Sequence, residues 1–160
     1  MKTIGVIGCG NMGTALIKNI KAKLKSQRLF GADIDAKKRR RIQDKYRIRV
    51  FSDNKKLVKL SDIIILAVKP QDAKKVLTEI SGVLAPSKLV VSIMAGVTTD
   101  YIKMILSNLV RSNLVTIVRV MPNMPALIGE GISAICARGA SRRHRENIRK
   151  IFSSIGEVVE

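Results

Sequence analysis

The stretch Ile4-Gly5-Val6-Ile7-Gly8-Cys9-Gly10-Asn11-Met12-Gly13 decides how the rest of the chain is read. A short apolar run, Thr3 to Ile7, reads as a strand and reaches glycine at once. Beyond the glycines, Met12, Ala15, Leu16 and Ile20 recur every three or four residues. That spacing predicts an amphipathic helix from Asn11 to about Leu24 with its lysines turned to water. Gly8, Gly10 and Gly13 carry the G-x-G-x-x-G spacing between strand and helix. In a dinucleotide-binding turn the first glycine allows the tight bend, the second lets the backbone approach a pyrophosphate, and the third lets helix and strand pack closely. The helix start adds open backbone N–H groups and a positive dipole end. Gly8, Cys9, Gly10, Asn11, Met12 and Gly13 are therefore candidate cofactor-binding residues, although the same glycines can serve a plain strand-to-helix turn.

Asp33 strengthens the first reading. It ends the second strand, Leu29 to Ala32, at the distance of about 20 residues expected for an acid that binds a ribose hydroxyl. As a carboxylate it would repel a 2′-phosphate, which favours NAD. The basic run Lys37-Lys38-Arg39-Arg40-Arg41 follows, and its first member is placed to reach such a phosphate. The same run also reads as a solvated helix face, and Asp33 as the cap of that helix, so NAD and NADP both stay open.

Further strands are expected at Ile48 to Phe51, Ile63 to Val68, Leu89 to Ile93, Val115 to Met121 and Ile132 to Ala137, with another beginning at Glu157. Ile63-Ile64-Ile65-Leu66-Ala67-Val68 shows no in/out alternation, as suits a strand buried on both faces of a parallel sheet. Ser52-Asp53-Asn54 and Thr98-Thr99-Asp100 offer caps for short helices. Ile148, Ile151, Phe152 and Ile155 build a last helix from Ser141 to Ile155, stopped by Gly156. The expected fold is α/β: a doubly wound, mostly parallel, Rossmann-like sheet with helices on both faces.

The 160 residues suffice for one domain, and 46% are apolar. No linker divides residues 1–160, which read as one dinucleotide-binding domain. Thirty Lys and Arg against 12 Asp and Glu leave a net charge of +18, enough to hold a phosphate backbone nonspecifically. Aromatic residues, at 3%, are too few for base-stacking platforms. A nucleotide-binding or basic nucleic-acid-binding module without turnover is accordingly the second reading. Arg111 and Arg119 interrupt the best membrane candidate, Leu109 to Met121, so no membrane association is expected. The two cysteines, Cys9 and Cys136, show neither disulfide nor zinc spacing, which fits a cytoplasmic protein without a metal. Cys9 occupies an unrestricted position of the turn with no histidine near to activate it. His144, the one histidine, sits among Arg142, Arg143 and Arg145 and is expected at the surface.

Four blocks carry a family resemblance: Ile4 to Gly13; Ala67-Val68-Lys69-Pro70-Gln71; Ser92-Ile93-Met94-Ala95-Gly96-Val97-Thr98; and Val118-Arg119-Val120-Met121-Pro122-Asn123-Met124-Pro125-Ala126. Through them the chain resembles the amino-terminal, cofactor-binding domain of pyrroline-5-carboxylate reductase. The resemblance implies hydride transfer from C4 of NADH or NADPH to the imine carbon of the small-molecule substrate 1-pyrroline-5-carboxylate, giving proline. It places Ala67, Val68, Lys69 and Pro70 along the nicotinamide ribose, Ala95 and Gly96 near the nicotinamide, Asn54 beside the adenine end and Asn123 at the substrate pocket. Local sequence reads Pro70 as a strand stop, Asn54 as a helix cap and the Pro122–Pro125 segment as a rigid turn. The family pattern continues into a carboxy-terminal helical dimerisation domain that has no counterpart in these residues. No catalytic residue and no oligomeric state are therefore assigned, and binding with little turnover is expected of this chain alone. Ile34 and Asp35 depart from the basic or small polar residues many members place there, so no cofactor preference carries over. A related NADP-dependent reductase domain, deazaflavin-dependent or of the β-hydroxyacid dehydrogenase type, shares the glycine turn and is the sister reading.

Overall fold

A computed structural model describes residues 2–107 and 115–160. Leu109, Val110, Arg111 and Leu114, from the apolar stretch weighed above, lie outside them. Eight strands form one sheet in the order β3-β2-β1-β4-β5-β6-β7-β8. They are β1 (Thr3–Ile7), β2 (Arg28–Ala32), β3 (Arg49–Phe51), β4 (Ile63–Leu66), β5 (Leu89–Ser92), β6 (Thr116–Pro122), β7 (Gly131–Cys136) and β8 (Gly156–Val159). All neighbours pair parallel except β6 with β7, which is antiparallel. β4 is buried at every position, Ile63 through Leu66, as its unbroken apolar run requires. It ends two residues earlier than the sequence suggests: Ala67 and Val68 have left the strand, and Pro70 opens a 3-10 turn, Pro70–Asp72.

Helices α1 (Asn11–Lys23), α2 (Ala36–Tyr46) and α6 (Arg142–Phe152) cover one face, and α3 (Asn54–Leu60), α4 (Ala73–Ser81) and α5 (Thr99–Ser107) cover the other. Leu16, Ile17 and Ile20 of α1 and Ile148, Ile151 and Phe152 of α6 fill the first core layer. Leu57 and Val58 of α3 join Val76, Leu77 and Ile80 of α4 in the second. Each buried side chain of that size contributes about 1.5–3 kcal/mol relative to exposure.

Three local expectations are corrected. The cap of α2 is Asp35, which accepts from the N–H groups of Lys37 and Lys38, so Asp33 is free for another task. The cap of α3 is Asp53, accepting from Lys55 N–H, and Asn54 is the first helical residue. The last helix stops at Phe152: Ser154 and Ile155 N–H turn back to the carbonyls of Ile151 and Phe152. Gly156, at φ 142°, instead opens β8.

Candidate functional site

Strand order reverses between β1, whose sequence successor β2 lies on one side, and β4, which lies on the other. Such a switch point leaves a crevice at the carboxyl ends of the strands. Here it is a cavity of about 360 Å³ lined at the end of β1 by Ile7, Gly8 and Gly10, at the end of β2 by Ala32 and Asp33, and just beyond β4 by Ala67, Val68 and Lys69. Asn54 closes it from the side of α3.

Gly8 has φ 98°, and a Cβ there would lie 2.6 Å from the Ala67 carbonyl oxygen. A Cβ on Gly13 would collide with the Gly8 carbonyl, so helix α1 and the strand meet through backbone alone. Gly10 differs, since a Cβ there would meet no atom within 4 Å. It is the N-cap of α1, has no side-chain cap bond, and lines the cavity. Two of the three glycines are thus required by packing, and the third borders open space at the cavity wall.

The turn's amides divide. Gly8 N–H donates to the Ala32 carbonyl at 2.8 Å, and Cys9 N–H to Asp33 Oδ2 at 2.8 Å. These two hold the turn in shape, and donors for an anion come from Gly10 onward, at the helix end. Asp33 is fixed at its other oxygen too, Oδ1 accepting from Asp35 N–H at 2.8 Å. Each carboxylate oxygen has two lone pairs, so this leaves acceptor capacity toward the cavity.

Cys9 does not occupy an unrestricted position. Its side chain is fully buried, with Sγ 3.6 Å from the Ala32 carbonyl oxygen. Burial, then the Asp33 charge, pushes the thiol up to about 12, which leaves it inert as a nucleophile.

The basic run after Asp33 splits by role. Lys37 is exposed, and it is Lys38, half-buried, that lines the cavity. Arg39 donates to the carbonyls of Asp33 and Ile34 at 3.0 and 2.8 Å, bracing the loop. Arg40 and Arg41 face water. Sequence reasoning also missed Asp72, Lys75 and Glu79, which line the cavity near and along α4. Their spacing of three and four residues was the available signal, because it puts them on one helical face. With Lys38, Lys69, Lys75 against Asp33, Asp72 and Glu79, the lining carries equal numbers of cations and anions.

Asn11, Met12, Pro70, Ala95, Gly96 and Asn123 are not among the cavity's lining residues. Ala95 and Gly96 are exposed after β5. Asn123 Oδ1 accepts from Ile132 N–H at 2.9 Å, bridging the ends of β6 and β7. His144 is partly exposed on α6, among the exposed Arg142, Arg143 and Arg145; desolvation, then Lys2 and Arg143, lowers its pKa. It lies outside the cavity. Among the described residues, no three His, Cys, Asp or Glu side chains gather in a metal-binding group, and no helix is long and apolar enough to cross a membrane.

Comparison with known proteins identifies this strand–turn–helix arrangement. Residues 3–96 match the model of a family described as NADP oxidoreductase, coenzyme F420-dependent. The chain belongs to that family. Within it, the chain is 38% identical over 160 residues to the pyrroline-5-carboxylate reductase of Methanosarcina acetivorans, a match covering 98% of this chain and 57% of the relative. Identity to the Escherichia coli enzyme of the same name is 33%, over 98% of this chain and 58% of that one. The chain therefore spans little more than half the length of the curated relatives it matches. Among solved structures, the Coxiella burnetii pyrroline-5-carboxylate reductase superposes with a TM-score of 0.90 at 26% identity, covering 99% of this chain and 58% of that one. A Plasmodium falciparum pyrroline carboxylate reductase with NADP bound gives 0.83 at 31%, covering 99% and 57%. Prephenate dehydrogenase of Aquifex aeolicus, at 14% identity and TM-score 0.78, shares the fold of the family.

Proposed function

We propose that this chain is the dinucleotide-binding part of a reductase that converts 1-pyrroline-5-carboxylate to proline, with NADH or NADPH as hydride donor. The observation that carries the reading is the cavity at the β1/β4 switch point, where an uncapped helix start, a clear glycine and an acid on the neighbouring strand meet. That set fits a dinucleotide: Gly10 presents a cradle that a side chain would fill, and Asp33 stands at the end of β2 where a ribose is held. The names of the relatives supply the substrate, and the bound NADP of the Plasmodium structure supports the coenzyme class.

When bound, the reduced nicotinamide supplies the hydride. The chain's residues bind and orient it. The amides at the start of α1 meet the diphosphate, Asp33 accepts from the adenosine ribose, and Ala67 to Pro70 lie along the nicotinamide ribose. Ala95 and Gly96, after β5, border the ring, and Asn123 supports the substrate side. Residues 1–160 form one such domain, and a cytoplasmic location suits the two free thiols.

Fluorescence titration of the purified chain with NADH and NADPH tests the site, and formation of proline from 1-pyrroline-5-carboxylate tests the reaction. Saturable binding with little proline formed is the expected result. Failure to bind either coenzyme overturns the site; full turnover by this chain overturns its restriction to coenzyme binding.

A further inference from the structure

Glu79 meets Asn54 twice across 25 residues of sequence. Its Oε2 accepts from Asn54 Nδ2 at 2.8 Å, and its Oε1 accepts from Asn54 N–H at 3.3 Å. Both residues are half-buried and both line the cavity.

A carboxylate has only acceptor oxygens, whereas a primary amide has a donating and an accepting end. The NH2 end of Asn54 must therefore face Glu79. Its carbonyl oxygen, Oδ1, is left over, and no donor among the described residues is bonded to it. Asp53 caps α3 through Lys55 N–H, and Glu79 takes a second open amide of that helix end, Asn54 N–H; the side-chain contact to Nδ2 goes beyond capping. What the paired contact adds is a fixed rotamer and a fixed amide orientation, with an acceptor held ready at the cavity wall.

We propose that Glu79 is a positioning residue for coenzyme binding. It holds Asn54 so that Oδ1 accepts a hydrogen bond from a hydroxyl or exocyclic amine of the adenosine half of the dinucleotide. The inference rests on the coenzyme site proposed above. The adenosine half follows from place: Asn54 comes after β3, on the Asp33 side of the switch point, away from β4 and the segment assigned to the nicotinamide ribose.

The sign of the effect separates this role from bulk electrostatics. Removing an acid beside an anionic ligand should strengthen binding if charge alone mattered. Losing the amide's orientation should weaken it, by about fivefold for one hydrogen bond.

The test is fluorescence titration of NADH, NADPH and reduced nicotinamide mononucleotide, which lacks the adenosine half. Wild type is compared with Glu79→Ala, Glu79→Gln, Asn54→Ala and the Glu79→Ala/Asn54→Ala pair. Thermal unfolding of each variant runs alongside. Glu79→Ala should weaken both dinucleotides about fivefold and leave the mononucleotide unchanged. The double variant should bind no worse than Asn54→Ala alone. Glu79→Gln, whose Oε1 can still take the Nδ2–H bond, should recover most of the affinity. It also serves as the readout should Glu79→Ala fail to fold. Equal or tighter dinucleotide binding by Glu79→Ala, a parallel loss of the mononucleotide, or additive losses in the double variant would each overturn the role of Glu79 while leaving the site intact. A wild-type chain that binds neither dinucleotide overturns the site, and this role with it.

Discussion

Asp33 and Cys9 are joined by a 2.8 Å hydrogen bond from the cysteine's N–H to Oδ2 of the acid. The opposite oxygen takes Asp35 N–H at the same distance. One carboxylate therefore ties the glycine turn to the loop after β2, and the acid read as a ribose acceptor is also a structural staple. Asp33→Ala leaves both donors without their acceptor and should lower unfolding free energy by about 2 kcal/mol. Asp33→Asn, which keeps one accepting oxygen, should lose less. Urea unfolding measures both, and wild-type stability of Asp33→Ala would show the staple to be idle.

The glycines of the turn separate stability from binding. Gly13→Ala drives a methyl into the Gly8 carbonyl and should cost about 3 kcal/mol. Gly10→Ala meets nothing within 4 Å and sits at a φ of −71° open to any residue, so its melting temperature should stay near that of wild type. The added methyl stands where a diphosphate would approach, and coenzyme affinity should fall about tenfold. A Gly10→Ala variant with unchanged NADH and NADPH affinity would contradict the binding mode.

The two thiols should respond differently to alkylation. Cys136 is exposed and Cys9 buried. At pH 8, iodoacetamide followed by mass spectrometry should label Cys136 quickly and Cys9 only on unfolding. The raised Cys9 value has a stability counterpart. Because the folded-state value lies above the ordinary 9.0, the native state favours the neutral thiol. That contribution is complete below about pH 9 and is lost as pH rises toward about 12. The stability of wild type should accordingly fall relative to Cys9→Ala across that window; a constant difference would be inconsistent with a buried, neutral thiol.

Asn123 holds its loop through a side-chain acceptor for Ile132 N–H at 2.9 Å, alongside Asn123 N–H to the Ile132 carbonyl at 3.2 Å. Asn123→Ala should reduce stability by about 1 kcal/mol. It should also speed hydrogen exchange at the Ile132 amide, read by NMR. Unchanged protection at that amide would remove the bridge from the account.

Much of the fold is legible because its signals are local. The apolar run Ile63–Leu66 declares a strand wet on neither face, and the spacing of Leu16 and Ile20 declares the helix that covers β1. Helix ends are less legible. Ser52, Asp53 and Asn54 all have capping chemistry, and only the backbone path selects Asp53. The last helix yields at Phe152, short of the Gly156 stop, because the chain must turn to lay β8 beside β7.

The candidate site divides in the same way. Spacing together with the flanking strand and helix is enough to mark the glycine turn and Asp33 as candidates, since a tight bend and a residue at the end of the next strand are constraints on nearby chain. It could not show that the Cys9 side chain is sealed under β2, that Lys38 rather than Lys37 reaches the cavity, or that Glu79 turns Asn54 toward it. Those are meetings between residues about 25 positions apart or between neighbours on different sides of one helix, and they exist only after sheet order and helix rotation are set. Periodicity belongs to the chain before it folds; which charges and amides finally touch is decided by the packing of its layers.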